Sequence, residues 1–291
     1  MGEAFTLAVS AVLLAGFYSA MAYGLGLIYG VLRIVNLAHG GIIMAAAYLA
    51  WQLFDRFAID PFLAIPIALV VFFAVGVAIY LGLVRFIPRG PAGGVQSLLL
   101  LFGVWLVIRN AAYLLFSGNE QVIHTTYATS SVSLLGGSFS VTRVAVFVVA
   151  LVTLLALHLL LSRTFLGRSI RAVAQNPESA TLVGIDVHRV YVISFGLGTA
   201  LAGLAGVLAS TLFAFTPSFG ASELLKSFVI IVLGGLGSVV GIALGALVLA
   251  AAEVFAVYVV PPYLTAAVGF VLLVVVLVLR PGGLFGQRVL R

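Results

Sequence analysis

The chain has 291 residues, of which 64% are hydrophobic and only 8% are charged. Soluble globular proteins average roughly 45–50% apolar and about 25% charged residues, so this composition excludes a water-soluble protein. The net charge of +6 does not indicate nucleic-acid binding, because the arginines lie singly or in small groups at the ends of apolar runs.

Nine apolar segments follow one another along the chain, and each predicts a helix because lipid cannot hydrogen-bond an exposed backbone. The segments cover residues 5–32, 41–54, 62–84, 95–116, 141–161, 190–215, 227–240, 242–260 and 264–279. The sequence therefore predicts an all-α integral membrane protein. We expect residues 1–291 to form a single transmembrane domain, a polytopic bundle of about eight to nine transmembrane helices with short or broken helices among them.

Two of the segments are shorter than a membrane crossing requires. Segments 41–54 and 227–240 would each extend only about 21 Å, less than the roughly 30 Å hydrocarbon core, and so predict short, tilted or broken helices. The second contains most of the run GGLGSVVG at 234–241, the densest of the glycine clusters. Glycines in such a run either let helices pack closely or permit unwound backbone where a solute passes.

The arginines also predict how the chain crosses the membrane. Ten of the fourteen basic residues fall on alternate connections and at the C-terminus, as the positive-inside rule requires. They are Arg33, Arg85, Arg89, Arg163, Arg168, Arg171, Arg189, Arg280, Arg288 and Arg291. We therefore expect a multi-pass membrane protein with the N-terminus outside, and with loop 162–189 and the C-terminus in the cytoplasm.

Loop 162–189 contains the signals of a short helix at 177–183. Asn176 is a favourable N-cap and Pro177 suits the first helical position. Glu178 complements the positive end of the helix dipole, and Gly184 suits the C-terminal cap. The apolar residues Ala180, Leu182 and Val183 cannot all be satisfied by water, so the helix must lie on its own membrane domain or dock into a cytoplasmic partner.

The spacing Glu178-Ser179-Ala180, three residues, then Gly184 resembles the Glu-Ala-Ala-x-x-x-Gly signature of permease subunits in bacterial ABC importers. The Leu-Pro pair that often follows in other importers is missing after Ile193. The resemblance implies a coupling helix that sits in a groove of the ATP-binding subunit. Its residues in this chain are Asn176, Pro177, Glu178, Ser179, Ala180, Leu182, Val183 and Gly184.

Three stretches resemble the branched-chain amino acid branch of these permeases, and its first, shorter member in particular. They are RIVNLAHGGIIMAAAYLAW at 33–51, GRSIRAVAQNPESATLVGI at 167–185 and VLGGLGSVVGIALGALVL at 232–249. The resemblance implies a translocation path near Asn36, His39, Gly40, Gly41, Gly234, Gly235, Gly237 and Ser238. A lone histidine such as His39 is more typical of a hydrogen bond at a helix end than of a ligand.

The same resemblance implies a bacterial or archaeal cell (inner) membrane as the location, and it implies the partners. They are a second permease subunit, two cytoplasmic ATP-binding subunits, an extracytoplasmic substrate-binding protein and the lipid bilayer, with no nucleic acid. The chain lacks a Gly-x-x-x-x-Gly-Lys-[Ser/Thr] phosphate loop and cysteine, so we expect no catalytic residue, metal or cofactor of its own, and ATP and Mg²⁺ in the partner subunits.

Two alternatives remain open at this stage. The first is an importer of the same family for urea, short amides or another small polar solute. The second is a secondary transporter or channel that works without ATP, for which intramembrane charges are the usual sign. Arg109 and Glu253 are the clearest such charges, although Arg109 lies near enough to a helix end to reach the interface.

Overall fold

The computed structural model describes residues 2–88, 91–134, 137–235, 238–259, 261, 264–280 and 283. These residues form eleven α-helices, one 3₁₀ turn and a short β-hairpin. The helices are α1 Gly2–Leu32, α2 Ala38–Phe57, α3 Pro61–Gly82, α4 Pro91–Phe116, α5 Val141–Arg163, α6 Phe165–Gln175, α7 Pro177–Leu182, α8 Val187–Leu212, α9 Phe219–Gly234, α10 Val239–Ala256 and α11 Thr265–Leu279. The 3₁₀ turn is Val84–Phe86, and the strands are β1 Ser131–Leu134 and β2 Gly137–Ser140.

Six of the described helices are long and apolar enough to cross a membrane, namely α1, α3, α4, α5, α8 and α10. This confirms a polytopic helical membrane protein. The remaining long helices α2, α9 and α11 have 20, 16 and 15 residues. The count of eight to nine crossings therefore stays a prediction.

The boundaries predicted for the two short segments are wrong. Helix α2 is longer than segment 41–54, because His39 at one end and Asp55 and Arg56 at the other continue the helix although they interrupt the apolar run. Helix α9 lies earlier than segment 227–240, since it includes the polar residues Glu223 and Lys226. It ends at Gly235, whose positive φ of 87° breaks the helix, as expected of a glycine-rich stretch.

Helix α8 forms the centre of the bundle and packs against α1, α2 and α3. Most of its residues are buried, and glycines let its backbone touch that of its neighbours. A Cβ atom placed on Gly24 of α1 would lie 2.2 Å from the carbonyl oxygen of Gly198 in α8. Such close approach is a common way for membrane helices to gain packing contacts, because lipid provides no hydrophobic drive for their association.

The connection between α4 and α5 is fastened to the neighbouring helix ends. Gln121 pairs with Phe215, just after α8, through two backbone hydrogen bonds of 2.9 and 3.0 Å. The Tyr127 hydroxyl donates a hydrogen bond of 2.8 Å to Asp60, the N-cap residue of α3. Burial and the bond to Asp60 raise the pKa of Tyr127, so this hydroxyl keeps its proton as a donor. These contacts place the loops 58–60, 117–140 and 213–218 on one face.

The opposite face collects the arginine-rich connections. One cavity there is lined by residues from the end of α1, the α3–α4 connection and the start of α7, including Arg33, Arg85 and Pro177. The two faces of the bundle therefore differ in charge as the sequence predicts. Which face meets the cytoplasm follows from the positive-inside rule and stays a prediction.

We expect loop 117–140 to face outward and loop 162–189 to face the cytoplasm. The chain contains no cysteine, so a single introduced thiol reports its own side of the membrane. In intact cells, an impermeant thiol reagent should label Ser130→Cys and spare Gln175→Cys; both positions are exposed. Both variants should react after denaturing solubilisation, which controls for reactivity. Labelling at 175 with none at 130 would reverse the orientation.

Candidate functional site

Helix α7 begins with the caps that the sequence predicts. The Asn176 side-chain oxygen Oδ1 accepts a hydrogen bond of 3.0 Å from the backbone N–H of Ser179. Pro177 occupies the first turn, where its missing N–H costs nothing, and Glu178 lies in the same turn. These local bonds stabilise a helix that would be too short to form alone in water.

The C-terminal end of α7 is a complete Schellman motif. The N–H of Ile185 bonds to the carbonyl of Ala180, and the N–H of Gly184 bonds to that of Thr181, both at 3.0 Å. Gly184 has φ +83°, a conformation that glycine adopts without penalty. The predicted helix 177–183 is thus confirmed, with Val183 as its C-cap rather than its last turn.

The three apolar residues of α7 do not share one face. Ala180 is only 3% exposed and belongs to the main apolar core of the chain. Leu182 and Val183 are 88% and 76% exposed. The reason is that a six-residue helix has little more than one turn, so Ala180 points toward α6 and α8 while the C-terminal residues point away.

Sequence reasoning missed the helix that holds α7 in place. Helix α6 starts at Thr164, whose hydroxyl oxygen accepts a hydrogen bond of 3.0 Å from the N–H of Gly167. Its apolar residues Leu166, Ile170 and Val173 recur at helical spacing and pack into the core. That periodicity, with a threonine N-cap before it, was the signal available in the sequence.

Asn36 and His39 are fully buried where α1 gives way to α2. The His39 ring nitrogen Nε2 lies 2.8 Å from the carbonyl oxygen of Met21, and Asn36 Oδ1 accepts a hydrogen bond of 3.1 Å from the N–H of Ala38. This confirms His39 as a hydrogen-bonding residue at a helix end. In the described part of the chain, His39 Nδ1 and Asn36 Nδ2 have no partner.

The neighbouring glycines bring helices together. A Cβ on Gly40 would lie 2.0 Å from the carbonyl oxygen of Gly220, and one on Gly41 would lie 3.1 Å from the Trp105 ring. Helices α2, α4 and α9 therefore meet beside His39.

The second predicted part of the path is the break between α9 and α10. Gly234 packs directly on Gly241, since a Cβ on the first would lie 2.2 Å from the carbonyl oxygen of the second. Ser238 is the N-cap of α10, and its hydroxyl accepts a hydrogen bond of 3.0 Å from the N–H of Gly241. Gly237 lies outside the described residues. No hydrogen bond in the described part of the chain joins this break to Asn36 or His39.

A cluster of ionisable side chains links α1, α9 and α10, and Glu253 is the only one of its members that was predicted from the sequence. The Tyr18 hydroxyl donates a hydrogen bond to Glu253 Oε2. The Lys226 ammonium donates to the Tyr18 oxygen at 3.0 Å and lies 3.9 Å from Glu223. Glu223 and Lys226 were missed because they precede the apolar run, although their i, i+3 spacing is that of a helical ion pair.

Arg109 is accommodated by its own helix. Its guanidinium carbon lies 5.3 Å from the ring centroid of Trp105 and 5.6 Å from that of Tyr113, at i−4 and i+4. Cation–π contacts of this kind stabilise a charge among apolar neighbours. One atom of this guanidinium group, Nε, is buried and has no hydrogen-bond partner among the described residues.

A profile of the family described as "Branched-chain amino acid transport system / permease component" matches residues 7–277. The chain belongs to this family. It is 30% identical to the high-affinity branched-chain amino acid transport system permease protein BraD of Pseudomonas aeruginosa, over 93% of this chain and 92% of that protein. It is 27% identical to LivH of Escherichia coli K12, over 93% and 91%, and 29% identical to a probable LivH of Methanocaldococcus jannaschii, over 91% and 87%. No solved structure matches the chain.

Membership confirms the resemblance that the three stretches indicated. The family profile runs from residue 7, within α1, to residue 277, two residues before the end of α11.

Changing Gly184 to valine should destabilise the turn that follows α7. A β-branched residue at positive φ costs about 1–2 kcal/mol, which raises the fraction of locally opened loop roughly 5- to 30-fold. Limited trypsin digestion should then cut faster at the exposed Arg189. Gly184→Asn, which tolerates this conformation, should be cut at nearly the wild-type rate. Equal digestion of wild type and Gly184→Val would show that the loop does not depend on this turn.

Proposed function

We propose that this chain is the transmembrane permease subunit of an ATP-driven importer for branched-chain or related amino acids. The observation that carries the proposal is the family match across residues 7–277, supported by relatives named as branched-chain amino acid permeases. In this mechanism an external binding protein delivers the amino acid. The chain and a second permease subunit supply the two halves of the path.

Other subunits supply the ATPase activity. The sequence contains no phosphate loop, so ATP and Mg²⁺ are bound by two cytoplasmic ATP-binding subunits. The closing motion of the ATP-binding subunits must be transmitted to the transmembrane helices through a surface of the permease. The exposed pair Leu182 and Val183 at the end of α7 is suited to that contact, because two adjacent large apolar side chains that are exposed gain by leaving water.

Helix α7 has the rigidity that a coupling element needs. Ala180 fixes it to the core, and Gly184 turns the chain so that α8 begins three residues later at Val187. Asp186 caps α8 by accepting a hydrogen bond of 3.1 Å from the N–H of Arg189, and the two side chains form an ion pair of 2.9 Å. A displacement of α7 is therefore transmitted directly to α8, the central helix of the bundle.

The translocation path remains assigned by resemblance to the regions of Asn36–Gly41 and Gly234–Ser238. The unpartnered nitrogens of Asn36 and His39 support the first region, because they leave hydrogen-bonding groups free in a mostly apolar core. The broken backbone between α9 and α10 supports the second region, since unwound segments at membrane depth are tolerated where they line a cavity.

A secondary transporter is the second candidate, and the buried carboxylates Glu223 and Glu253 are the observation that favours it. Intramembrane carboxylates are common in ion-coupled carriers. The family match weighs against this candidate, because the named relatives are transport-system permease components. An importer for urea or short amides would share the same architecture, and the substrate assay below separates it.

Replacing Leu182 by glutamine together with Val183 by threonine should weaken docking of the ATP-binding subunits. Burial of each apolar side chain contributes about 1.5–3 kcal/mol, so the double variant should bind at least roughly 100-fold more weakly. We expect normal membrane levels, loss of the ATP-binding subunits during affinity purification, and loss of uptake.

The matched control is Val122→Thr with Val132→Thr, two exposed valines on the opposite face. This pair should retain the partners and transport at the wild-type rate. Full partner retention and uptake in the Leu182/Val183 variant would remove α7 as the coupling element, whereas equal loss in both pairs would indicate a general defect of assembly.

A further inference from the structure

A cavity of about 340 Å³ opens where α5 and α9 begin and α8 and α10 end, beside the first half of α1. This volume falls within the range of roughly 300–1,000 Å³ that small-molecule pockets occupy. Much of its wall is aliphatic, with Leu13, Leu14, Leu212 and Val254 among the lining residues. The wall therefore suits a branched aliphatic side chain.

A carboxylate lies in the wall of this cavity with one oxygen available. Glu253 is only 8% exposed, and its Oε2 accepts the hydrogen bond from Tyr18. Oε1 accepts no hydrogen bond from a described residue, and it is not one of the side-chain atoms that are buried without a partner, so it keeps some exposure. A partly exposed carboxylate oxygen can accept a charge-assisted hydrogen bond from a ligand ammonium.

A cation lies in the same wall. Arg143, in the first turn of α5, lines the cavity and is exposed. Within the described residues no carboxylate lies within ion-pair distance of it. A guanidinium free of a protein partner presents the forked donors that bind a carboxylate in two parallel hydrogen bonds.

The remaining charges of the cluster balance one another. Lys226 also lines the cavity, but its ammonium is already held by Tyr18 and lies 3.9 Å from Glu223. Two carboxylates and two cations thus give the site a formal charge of zero. A neutral site with separated charges of opposite sign favours a zwitterion over a net anion or a net cation.

We propose that this cavity binds the zwitterion of an aliphatic amino acid in transit. The ligand ammonium bonds to Glu253 Oε1, its carboxylate bonds to Arg143, and its side chain packs on the aliphatic wall. Tyr18 and Lys226 are positioning residues, because they hold the Glu253 carboxylate and the Glu223 charge in place. The proposal rests on the proposed function and adds a site and a recognition chemistry to it.

Thiol protection tests binding without any transport step. Val257 lines the cavity and is 58% exposed, so Val257→Cys in this cysteine-free chain gives a single reporter. In the purified complex, L-leucine should slow labelling of Val257→Cys by a maleimide and leave the reference variant Ser130→Cys unaffected. Urea should protect neither position.

Charge variants show which end of the ligand each residue holds. In the Val257→Cys background, Arg143→Gln and Glu253→Gln should each raise the protecting L-leucine concentration roughly tenfold or more, as expected for one charge-assisted hydrogen bond. Arg143→Gln should leave protection by 3-methylbutylamine, which lacks the carboxylate, unchanged. Glu253→Gln should leave protection by 4-methylpentanoate, which lacks the ammonium, unchanged. The exposed residues Arg56 and Glu120 supply matched controls, Arg56→Gln and Glu120→Gln.

The outcomes separate this proposal from the proposed function. If L-leucine gives no protection, or if both charge variants are protected like wild type, the cavity is not the site, even where the complete importer still takes up leucine. A fall in thermal stability with unchanged ligand selectivity would likewise show that the cluster only neutralises buried charges. If protection follows the predicted charge pattern but the complete importer does not take up leucine, the site stands and the transport assignment fails.

Discussion

Backbone-to-backbone contact between α8 and its neighbours is the constraint on which the rest of the bundle depends. A Cβ on Gly206 of α8 would lie 2.1 Å from the carbonyl oxygen of Ile43 in α2. Gly198 of α8 makes the same kind of contact with Gly24 of α1. No side chain fits at these crossings. Because helices in lipid associate through close packing rather than through exclusion of water, these contacts fix α8 as the axis around which α1, α2 and α3 are arranged.

The central position of α8 gives it two functional ends. On the arginine-rich face it begins three residues after Gly184, and so continues directly from the capped helix α7. On the other face its last residue, Leu212, and the following Phe213 line the cavity that also contains Arg143 and Glu253. One rigid element therefore joins the proposed docking surface to the proposed substrate cavity. We propose that a displacement at α7 reaches the cavity wall through this element, without a flexible relay.

Local chemistry determined what the sequence could predict. The caps of α7 were readable because Asn176 and Gly184 act on residues within a few positions of themselves. The inward direction of Ala180 was not readable, since it depends on α6 and α8 packing around it. The ionisable cluster escaped prediction for the same reason: Tyr18 and Glu253 are separated by 235 residues in the chain. Hydropathy alone likewise misplaced the ends of α2 and α9, because polar residues lie inside both helices.

Uptake by reconstituted vesicles distinguishes an ATP-driven importer of aliphatic amino acids from an ion-coupled carrier and from an importer of urea. The chain is reconstituted in proteoliposomes with its second permease subunit and the ATP-binding subunits, with binding protein added outside and ATP enclosed. Labelled L-leucine should accumulate only with ATP and only when all subunits are present, and urea should not accumulate. Leucine accumulation driven by an ion gradient without ATP, or ATP-dependent accumulation of urea in its place, would contradict the assignment of this chain to an ATP-driven amino acid importer.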